Sequence, residues 1–192
     1  MIFMIGGVSH TGKTYMAQWL LEQYKIPYLS IDHLKMGLYR SDPHCGFTPE
    51  DSTEIIAEKL WPLLKGILMT NVENGQHLIL EGCYLMPERI AELDAKYLQH
   101  TASFYLFFSK AYIEKHFDAK ILRHRCVIEA RGYPNEETIE AYTQENERQR
   151  EICEAAGARY FVIDEGYEAE MEKIHRWIDA EWTRKQALLR ES

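Results

Sequence analysis

The stretch Gly7-Val8-Ser9-His10-Thr11-Gly12-Lys13-Thr14 decides the fold of this chain of 192 residues. It matches the pattern G-x4-G-K-[ST] at every position, and it lies between an apolar run ending at Ile5 and a helix-like run beginning at Lys13. Glycines let a backbone curl until successive N–H groups point at one anion, and the N-terminus of a following helix adds positive potential. The pattern therefore predicts a phosphate-binding loop between a strand and a helix.

The residue types in this loop predict ATP and Mg²⁺ as ligands. Lys13 can reach the β- and γ-phosphates and stabilise charge during transfer, and the Thr14 hydroxyl can bind Mg²⁺. An ordinary glycine turn followed by a surface lysine does not explain why lysine and threonine fall where the helix begins. At His10, a phosphate or acceptor contact and an ordinary loop position are both open. The residues predicted to contact the nucleotide are Gly7, Ser9, His10, Thr11, Gly12, Lys13 and Thr14.

At this loop the sequence resembles the P-loop small-molecule kinases, which have an adenylate-kinase-like fold. The N-K-x-D and D-x-x-G motifs of GTPases do not occur in the sequence, and AAA-type motors need longer chains with a second domain. The resemblance implies an ATP-dependent phosphotransferase.

Composition and charge exclude several other classes. The formal net charge of −8 and the pI near 5.5 disfavour a chain-wide nucleic-acid binder. No stretch reaches the ~20 apolar residues that a membrane helix needs. The four cysteines form no closely spaced pair, as is usual in a reducing compartment. We therefore expect a cytoplasmic protein whose partner is a small molecule, with no nucleic acid and no membrane. The sequence leaves the oligomeric state open.

Short apolar runs alternate with long amphipathic runs along the chain. Such alternation predicts a parallel sheet covered by helices on both faces, with right-handed crossovers. We expect a doubly wound five-stranded α/β fold of the P-loop NTPase type, in a single domain over 1–192 with a small helical lid over about 110–134. The predicted strands are 2–5, 27–31, 77–81, 103–108 and 159–163.

Capping residues predict where two of the helices begin. Thr48 is predicted as an N-cap with Pro49 as the first helical residue. Ser109 is predicted to cap a helix that runs to about Arg131. The apolar stripe of the first of these helices is predicted at Ile56, Leu60, Leu63 and Ile67.

Asp32 follows the second predicted strand, at the edge of the sheet where ligands bind. The resemblance implies that an acid in this place accepts the proton of the acceptor hydroxyl or helps to hold Mg²⁺. Such a base must lie close to the attacking oxygen. A helix N-cap is the alternative role, and the two roles are compatible. Asp32 is thus predicted as a catalytic residue and as a metal ligand.

Glu81 ends the third predicted strand, in the segment LILEGCYLMP. This segment resembles the E-G-x-x-L-x-P block of 2-phosphoglycerate kinases and the related zeta-toxin-like kinases, with Leu85 and Pro87 also matching. We predict that Glu81 binds Mg²⁺ through water or orients the acceptor. A solvated residue at a strand end is the alternative.

Basic residues follow both acid-bearing strands. Lys35, Arg40 and Arg89 could hold an anionic acceptor, and Lys35 and Arg40 are the predicted substrate residues. On a helix, Lys35 and Arg40 point in directions about 140° apart, so one of them is expected to face inward. Surface solvation is the alternative for each.

A cluster of arginines follows the fourth predicted strand, where kinases of the resembled group carry a mobile lid. Lid arginines stabilise the charge of the transferring phosphoryl group. Arg123 and Arg125 are predicted as catalytic residues and Arg131 as a nucleotide contact. Arg123 and Arg125 lie about 200° apart on a helix, so one can clamp phosphate while the other pairs with a neighbouring acid.

Together these features predict an ATP- and Mg²⁺-dependent phosphotransferase that moves the γ-phosphoryl group to a small-molecule acceptor. The resemblance suggests an acceptor like 2-phosphoglycerate. Two alternatives stay open: a nucleotide or nucleoside kinase, and a nucleotide-dependent binding switch without efficient transfer.

Overall fold

The computed structural model describes residues 1–123 and 138–191. Its elements follow in the order β1 Ile2–Gly7, α1 Lys13–Tyr24, β2 Tyr28–Ser30, α2 Ile31–Ser41, α3 Thr53–Glu73, β3 Leu78–Glu81, α4 Pro87–Ala91, α5 Ala95–Leu98, β4 Thr101–Phe108, α6 Lys110–His116, a π-helical stretch Phe117–Leu122, α7 Ile139–Ala155, β5 Tyr160–Ile163 and α8 Tyr167–Glu191.

The strands form one five-stranded sheet in the order β2-β3-β1-β4-β5. The pairs β1–β3, β2–β3 and β4–β5 are all parallel. From β1 the chain passes to β2, which lies on the β3 side of β1. From β3 it passes to β4, which lies on the opposite side of β1. The predicted doubly wound α/β sheet is therefore confirmed, and its switch point lies between β1 and β3, where such sheets bind ligands.

The register of the sheet brings three strand ends together. Ile5 of β1 and Ser30 of β2 both pair with Glu81 of β3. The Gly82 N–H then donates to the Ile5 carbonyl at 3.1 Å, which extends the β1–β3 pairing past the end of β3. Ile5, Glu81 and Ser30 therefore lie side by side across three neighbouring strands of the sheet.

The chain divides into two compact units. The first unit comprises Met1–Gly6 and Lys13–Ser103. Its core is apolar, as the continuous hydrophobic runs of β1 and β3 predict for strands buried on both faces. Fully or almost fully buried side chains in this core include those of Phe3, Met16, Leu20, Leu60, Leu64 and Ile79.

The second unit comprises Gly7–Gly12 and Phe104–Ser192. An aromatic cluster stabilises it, because the rings of Phe104, Phe161 and Trp177 contact one another edge-on, with centroids 5.4–6.0 Å apart. The predicted organisation as a single domain stays a prediction.

The prediction that Thr48 caps α3 is wrong. The Thr48 N–H donates to the Asp51 carboxylate at 2.6 Å, which closes a turn before the helix. Ser52 is the N-cap instead, and its hydroxyl accepts from the Ile55 N–H. Thr48 and Ser52 both favour N-cap positions. Because the Asp51 carboxylate binds the Thr48 N–H in a turn, the helix begins after Ser52.

The predicted apolar stripe of α3 is confirmed at Ile56 and Leu60, which are buried, and wrong at Leu63. Leu63 is exposed, whereas Leu64 is buried. At about 100° per residue, the buried side chains centre near Leu64, and Leu63 lies one residue, about 100°, away from that centre. The buried side chains of α3 are Ile56, Ala57, Leu60, Trp61, Leu64 and Leu68.

The helix predicted after β4 begins as expected. The Ser109 hydroxyl accepts from the Tyr112 N–H at 3.0 Å, so Ser109 is the N-cap of α6. From Phe117 to Leu122 the helix widens to π-helical hydrogen bonding. The predicted course toward Arg131, and residues 124–134 of the predicted lid, lie outside the described residues.

Candidate active site

The glycines of the loop adopt backbone conformations that other residues rarely adopt. Gly7 has a φ of +116° and Gly12 a φ of +92°. A Cβ at Gly7 would overlap the carbonyl oxygen of Leu106, and a Cβ at Gly12 would overlap the hydroxyl of Tyr167. Both positions therefore favour glycine for conformation, and at Gly7 the neighbouring backbone also leaves no space for a Cβ. The fixed spacing of these two glycines in the sequence motif reflects that requirement.

Side chains hold the loop between the two glycines. The Thr11 hydroxyl donates to the Val8 carbonyl at 2.8 Å, and the Thr11 side chain is buried. The Tyr142 hydroxyl donates to the Ser9 carbonyl at 2.6 Å. His10 has a left-handed φ of +65°, as residues in anion-binding turns often do. Thr11 thus contributes its hydroxyl to the shape of the loop, which leaves its backbone N–H as the group that could contact an anion.

The chain enters α1 at Lys13, directly after the loop. Lys13 is only 7% exposed, and Glu81 at the end of β3 is only 2% exposed. The Thr14 hydroxyl donates to the Glu81 Oε2 atom at 3.3 Å. The first turn of α1 and the end of β3 therefore present a hydroxyl oxygen and a buried carboxylate side by side.

Asp32 lies in the first turn of α2, where the helix dipole favours a negative charge. The N-cap is Ser30, so the alternative of Asp32 as the helix N-cap is wrong. Lys35 places its Nζ 3.3 Å from the Asp32 Oδ1 atom. The Tyr84 hydroxyl lies 3.5 Å from the same oxygen, at the limit of a hydrogen bond.

Lys35 is buried, and its ammonium donates to the Tyr84 hydroxyl at 2.7 Å. The same ammonium lies 5.0 Å from the centre of the Tyr84 ring, within the range of a cation–π contact. The structure therefore joins Asp32, Lys35 and Tyr84 in one cluster. Arg40, the other predicted substrate residue, is exposed in the last turn of α2.

Sequence reasoning missed three tyrosines that contact the predicted residues. Tyr84 contacts Asp32 and Lys35, Tyr142 contacts the loop at Ser9, and Tyr167 lies against Gly12. Tyr84 lies within the EGCYLMP segment, which was a signal for its neighbourhood. Tyr142 is a large aromatic residue in a highly polar helix, and that contrast was the one available signal for it.

The predicted arginines are placed only in part. Arg123 is exposed, at the end of the first described stretch. Arg125 and Arg131 lie outside the described residues. The assignment of a phosphate-clamping arginine accordingly stays a prediction.

The oxygen donors of the site fit Mg²⁺. Mg²⁺ prefers oxygen ligands, and in phosphoryl-transfer sites it binds one or two carboxylates together with substrate phosphates and waters. The Thr14 hydroxyl and the Glu81 carboxylate supply such donors. Within 1–123 and 138–191, no three His, Cys, Asp or Glu side chains converge to hold a metal by themselves.

No family model and no curated protein matches the chain. Solved structures match over nearly its whole length. A sugar kinase from Janibacter sp. HTCC2649 matches with a TM-score of 0.53 at 15% identity, over 93% of this chain and 94% of that chain. A shikimate kinase from Bacteroides thetaiotaomicron matches with a TM-score of 0.53 at 13% identity, over 93% and 98%. A deoxyadenosine kinase from M. mycoides matches with a TM-score of 0.51 at 11% identity, over 94% and 99%.

These likenesses show that the chain has the fold of P-loop small-molecule kinases. The three kinases are named for a sugar, a hydroxy acid and a nucleoside, so the fold accommodates acceptors of different chemistry. The resemblance to 2-phosphoglycerate kinases stays a prediction. In the described part of the chain, every helix is too short or too polar to span a membrane.

Proposed function

We propose that this chain is a phosphotransferase that moves the γ-phosphoryl group of Mg²⁺-bound ATP to a hydroxyl or carboxylate oxygen of a small molecule. The observation that carries the proposal is the 3.3 Å contact between the Thr14 hydroxyl and the buried Glu81 carboxylate. A hydroxyl at the start of α1 beside an acid at the end of a neighbouring strand is the arrangement that P-loop enzymes use for Mg²⁺.

The loop and Lys13 would bind the triphosphate. Backbone N–H groups of residues 7–14 and the N-terminus of α1 supply positive potential without a change in protonation. The Lys13 ammonium would reach the β- and γ-phosphates and stabilise the charge that develops as the phosphoryl group moves. His10 and Ser9 would contribute through their backbone.

Thr14 and Glu81 would hold Mg²⁺, with Asp32 as a further ligand through water. When bound, the metal would supply positive charge that stabilises the transferring phosphoryl group in the transition state. Because Glu81 is almost fully buried, its carboxylate would interact more strongly with a bound cation than an exposed carboxylate would.

Asp32 would orient the acceptor and accept its proton. The acceptor oxygen attacks the γ-phosphorus in line and forms a new O–P bond, while the bond between that phosphorus and the β,γ-bridging oxygen breaks. ADP leaves with the electron pair of the broken bond. A hydroxyl acceptor gives its proton to the Asp32 carboxylate, whereas a carboxylate acceptor has no proton to give. Lys35 and Tyr84 hold Asp32 in place through their contacts at 3.3 Å and 3.5 Å.

An anionic acceptor, such as a phosphorylated hydroxy acid, is supported by the positive groups on α2. Lys35 is already paired with Asp32. Its ammonium has three N–H donors, so it could also donate to an anionic acceptor group that lies against both side chains. Arg40 is exposed and available at the end of the same helix. Arg123, Arg125 and Arg131 are proposed to contact the transferring phosphate or the nucleotide.

A panel of acceptors tests this function. Purified protein with Mg²⁺ and ATP is incubated with hydroxy acids, phosphorylated hydroxy acids, sugars and nucleoside monophosphates, and ADP formation is followed. We expect at least one acceptor to raise the rate well above that of ATP alone, and this increase to disappear in Asp32→Asn. If the protein binds ATP but no acceptor raises the rate, a nucleotide-dependent binding switch is the better description.

A further inference from the structure

Two consecutive carbonyl groups of the loop accept hydrogen bonds from side chains. The Val8 carbonyl accepts from Thr11 within the loop at 2.8 Å. The Ser9 carbonyl accepts from the hydroxyl of Tyr142, which is 133 residues further along the chain, at 2.6 Å. The second bond is the shorter one, and it anchors the loop from outside its own sequence.

Tyr142 is itself firmly held. Its side chain is fully buried, and its ring lies 5.6 Å from the ring of Phe117. One turn later in α7, the buried Asn146 donates to the Tyr142 carbonyl at 2.9 Å and accepts from the Phe108 N–H at 2.9 Å. Asn146 thus attaches α7 to the end of β4. The hydroxyl of Tyr142 is therefore presented to the loop by a rigid support.

The bond to Ser9 also fixes the direction of the next N–H group. A trans peptide is planar, and its C=O and N–H groups point in opposite directions. With the Ser9 carbonyl on the Tyr142 hydroxyl, the His10 N–H must point away from Tyr142. His10 has a φ of +65°, and a left-handed residue in such a turn is typical of backbone nests whose N–H groups bind an anion.

We propose that Tyr142 is a positioning residue, whose hydroxyl holds the Ser9–His10 peptide in the orientation that offers the His10 N–H to a nucleotide phosphate. This inference rests on the proposed nucleotide binding and names one residue outside the loop motif on which it depends. Without the hydroxyl, the peptide can rotate, and the N–H group loses its alignment before the anion arrives.

Tyr142→Phe tests the role, since it removes the hydroxyl and keeps the buried ring. Tyr112→Phe is the matched control, because Tyr112 is also buried in the second unit, where its ring stacks on Phe108 at 4.9 Å. Calorimetric titration with Mg²⁺-ATP should show affinity reduced roughly three- to tenfold in Tyr142→Phe, the size of one lost hydrogen bond. Tyr112→Phe should bind like the wild type.

A second readout needs no nucleotide. In the free protein, the ¹⁵N heteronuclear NOE of the His10 amide should fall in Tyr142→Phe, and that of Ile5 in β1 should not. A merely structural role would lower the melting temperature without this local change. If Tyr142→Phe folds poorly, hydrogen exchange of the Tyr142 hydroxyl in the wild type tests the hydrogen bond instead. A Tyr142 hydroxyl proton that exchanges slowly with water supports the bond, and a rapidly exchanging one contradicts it.

The possible failures are distinguishable. If the wild type binds Mg²⁺-ATP and Tyr142→Phe binds equally well with an unchanged His10 NOE, the positioning role is wrong and the proposed function stands. If the folded wild type binds no nucleotide, the proposed function is wrong and the role of Tyr142 is wrong with it.

Discussion

The Thr14 hydroxyl donates to the Glu81 carboxylate at 3.3 Å, although the two residues are 67 positions apart in the chain. The contact follows from the pairing of β1 with β3, in which Ile5 lies beside Glu81. A short loop then connects β1 to α1, and Thr14 lies in the first turn of that helix. Sheet register and loop length together create the candidate metal site.

Glu81→Gln should weaken Mg²⁺ binding. The amide keeps the shape of the carboxylate but carries no charge, so the Mg²⁺ concentration for half-maximal ATP binding should rise by about 10- to 100-fold. Titration of Mg²⁺ at fixed ATP measures this. Glu92→Gln is the control, because Glu92 is exposed and pairs with Arg89. An unchanged Mg²⁺ requirement in Glu81→Gln would contradict the assignment of Glu81.

Asp32→Asn should separate catalysis from binding. Loss of a general base lowers the rate on the order of 10²- to 10⁴-fold, while the affinity for ATP should stay close to that of the wild type. Acceptor-dependent turnover and calorimetric affinity are measured separately. Asp94→Asn, an exposed change before α5, is the control. Equal turnover in Asp32→Asn and the wild type would remove Asp32 from the mechanism.

Gly7→Ala should destabilise the protein more than Gly75→Ala does. Both glycines have positive φ, so each alanine is strained by about 1–2 kcal/mol. At Gly75 a Cβ meets open space, whereas at Gly7 it overlaps the Leu106 carbonyl oxygen. Overpacking should add about 1–3 kcal/mol to the loss at Gly7. Urea unfolding measures the difference. Equal losses in the free energy of unfolding of the two variants would show that the contact with Leu106 does not affect stability.

Acid should destabilise the protein through His175 in α8. Burial lowers the pKa of His175 below its usual value of 6.5, and the nearby Asp179 and Glu172 oppose this only in part. As the pH falls below about 6.5, the unfolded chain takes up the proton before the folded protein does. The free energy of unfolding therefore decreases from that pH downward until the folded pKa is passed. Above this range His175 contributes no pH dependence.

Urea unfolding at a series of pH values measures this effect. In His175→Gln the loss of stability between pH 6.5 and the folded pKa should be smaller than in the wild type. Identical slopes for the two proteins over that range would show that His175 keeps its ordinary pKa.

The local features of the sequence predicted the fold well. The motif at residues 7–14 predicted a strand, a loop and a helix, and α1 spans Lys13–Tyr24 as expected. Continuous apolar runs predicted the five parallel strands, because such runs occur in strands buried on both faces. The start of α3 was predicted wrongly, since Thr48 and Ser52 are both good caps and the Asp51 side chain selects the second.

Contacts between distant residues could not be predicted from such local features, whereas some near contacts could. Asp32 and Lys35, for example, lie three positions apart on one helix, so their pairing could be inferred from spacing. Tyr84 reaches both of them only because β3 lies beside β2. The bond from Tyr142 to Ser9 spans 133 residues and depends on how α7 is attached to β4. Periodicity and capping rules contain no information of that kind.

Binding of a nucleotide by residues 7–14 is the central claim, and calorimetric titration of Mg²⁺-ATP into wild type and Lys13→Ala tests it most directly. The wild type should bind, and Lys13→Ala should lose at least about tenfold in affinity, since a hydrogen bond to a charged group is lost. Circular dichroism should show both proteins folded. A folded wild type that binds neither Mg²⁺-ATP nor Mg²⁺-GTP would contradict the claim.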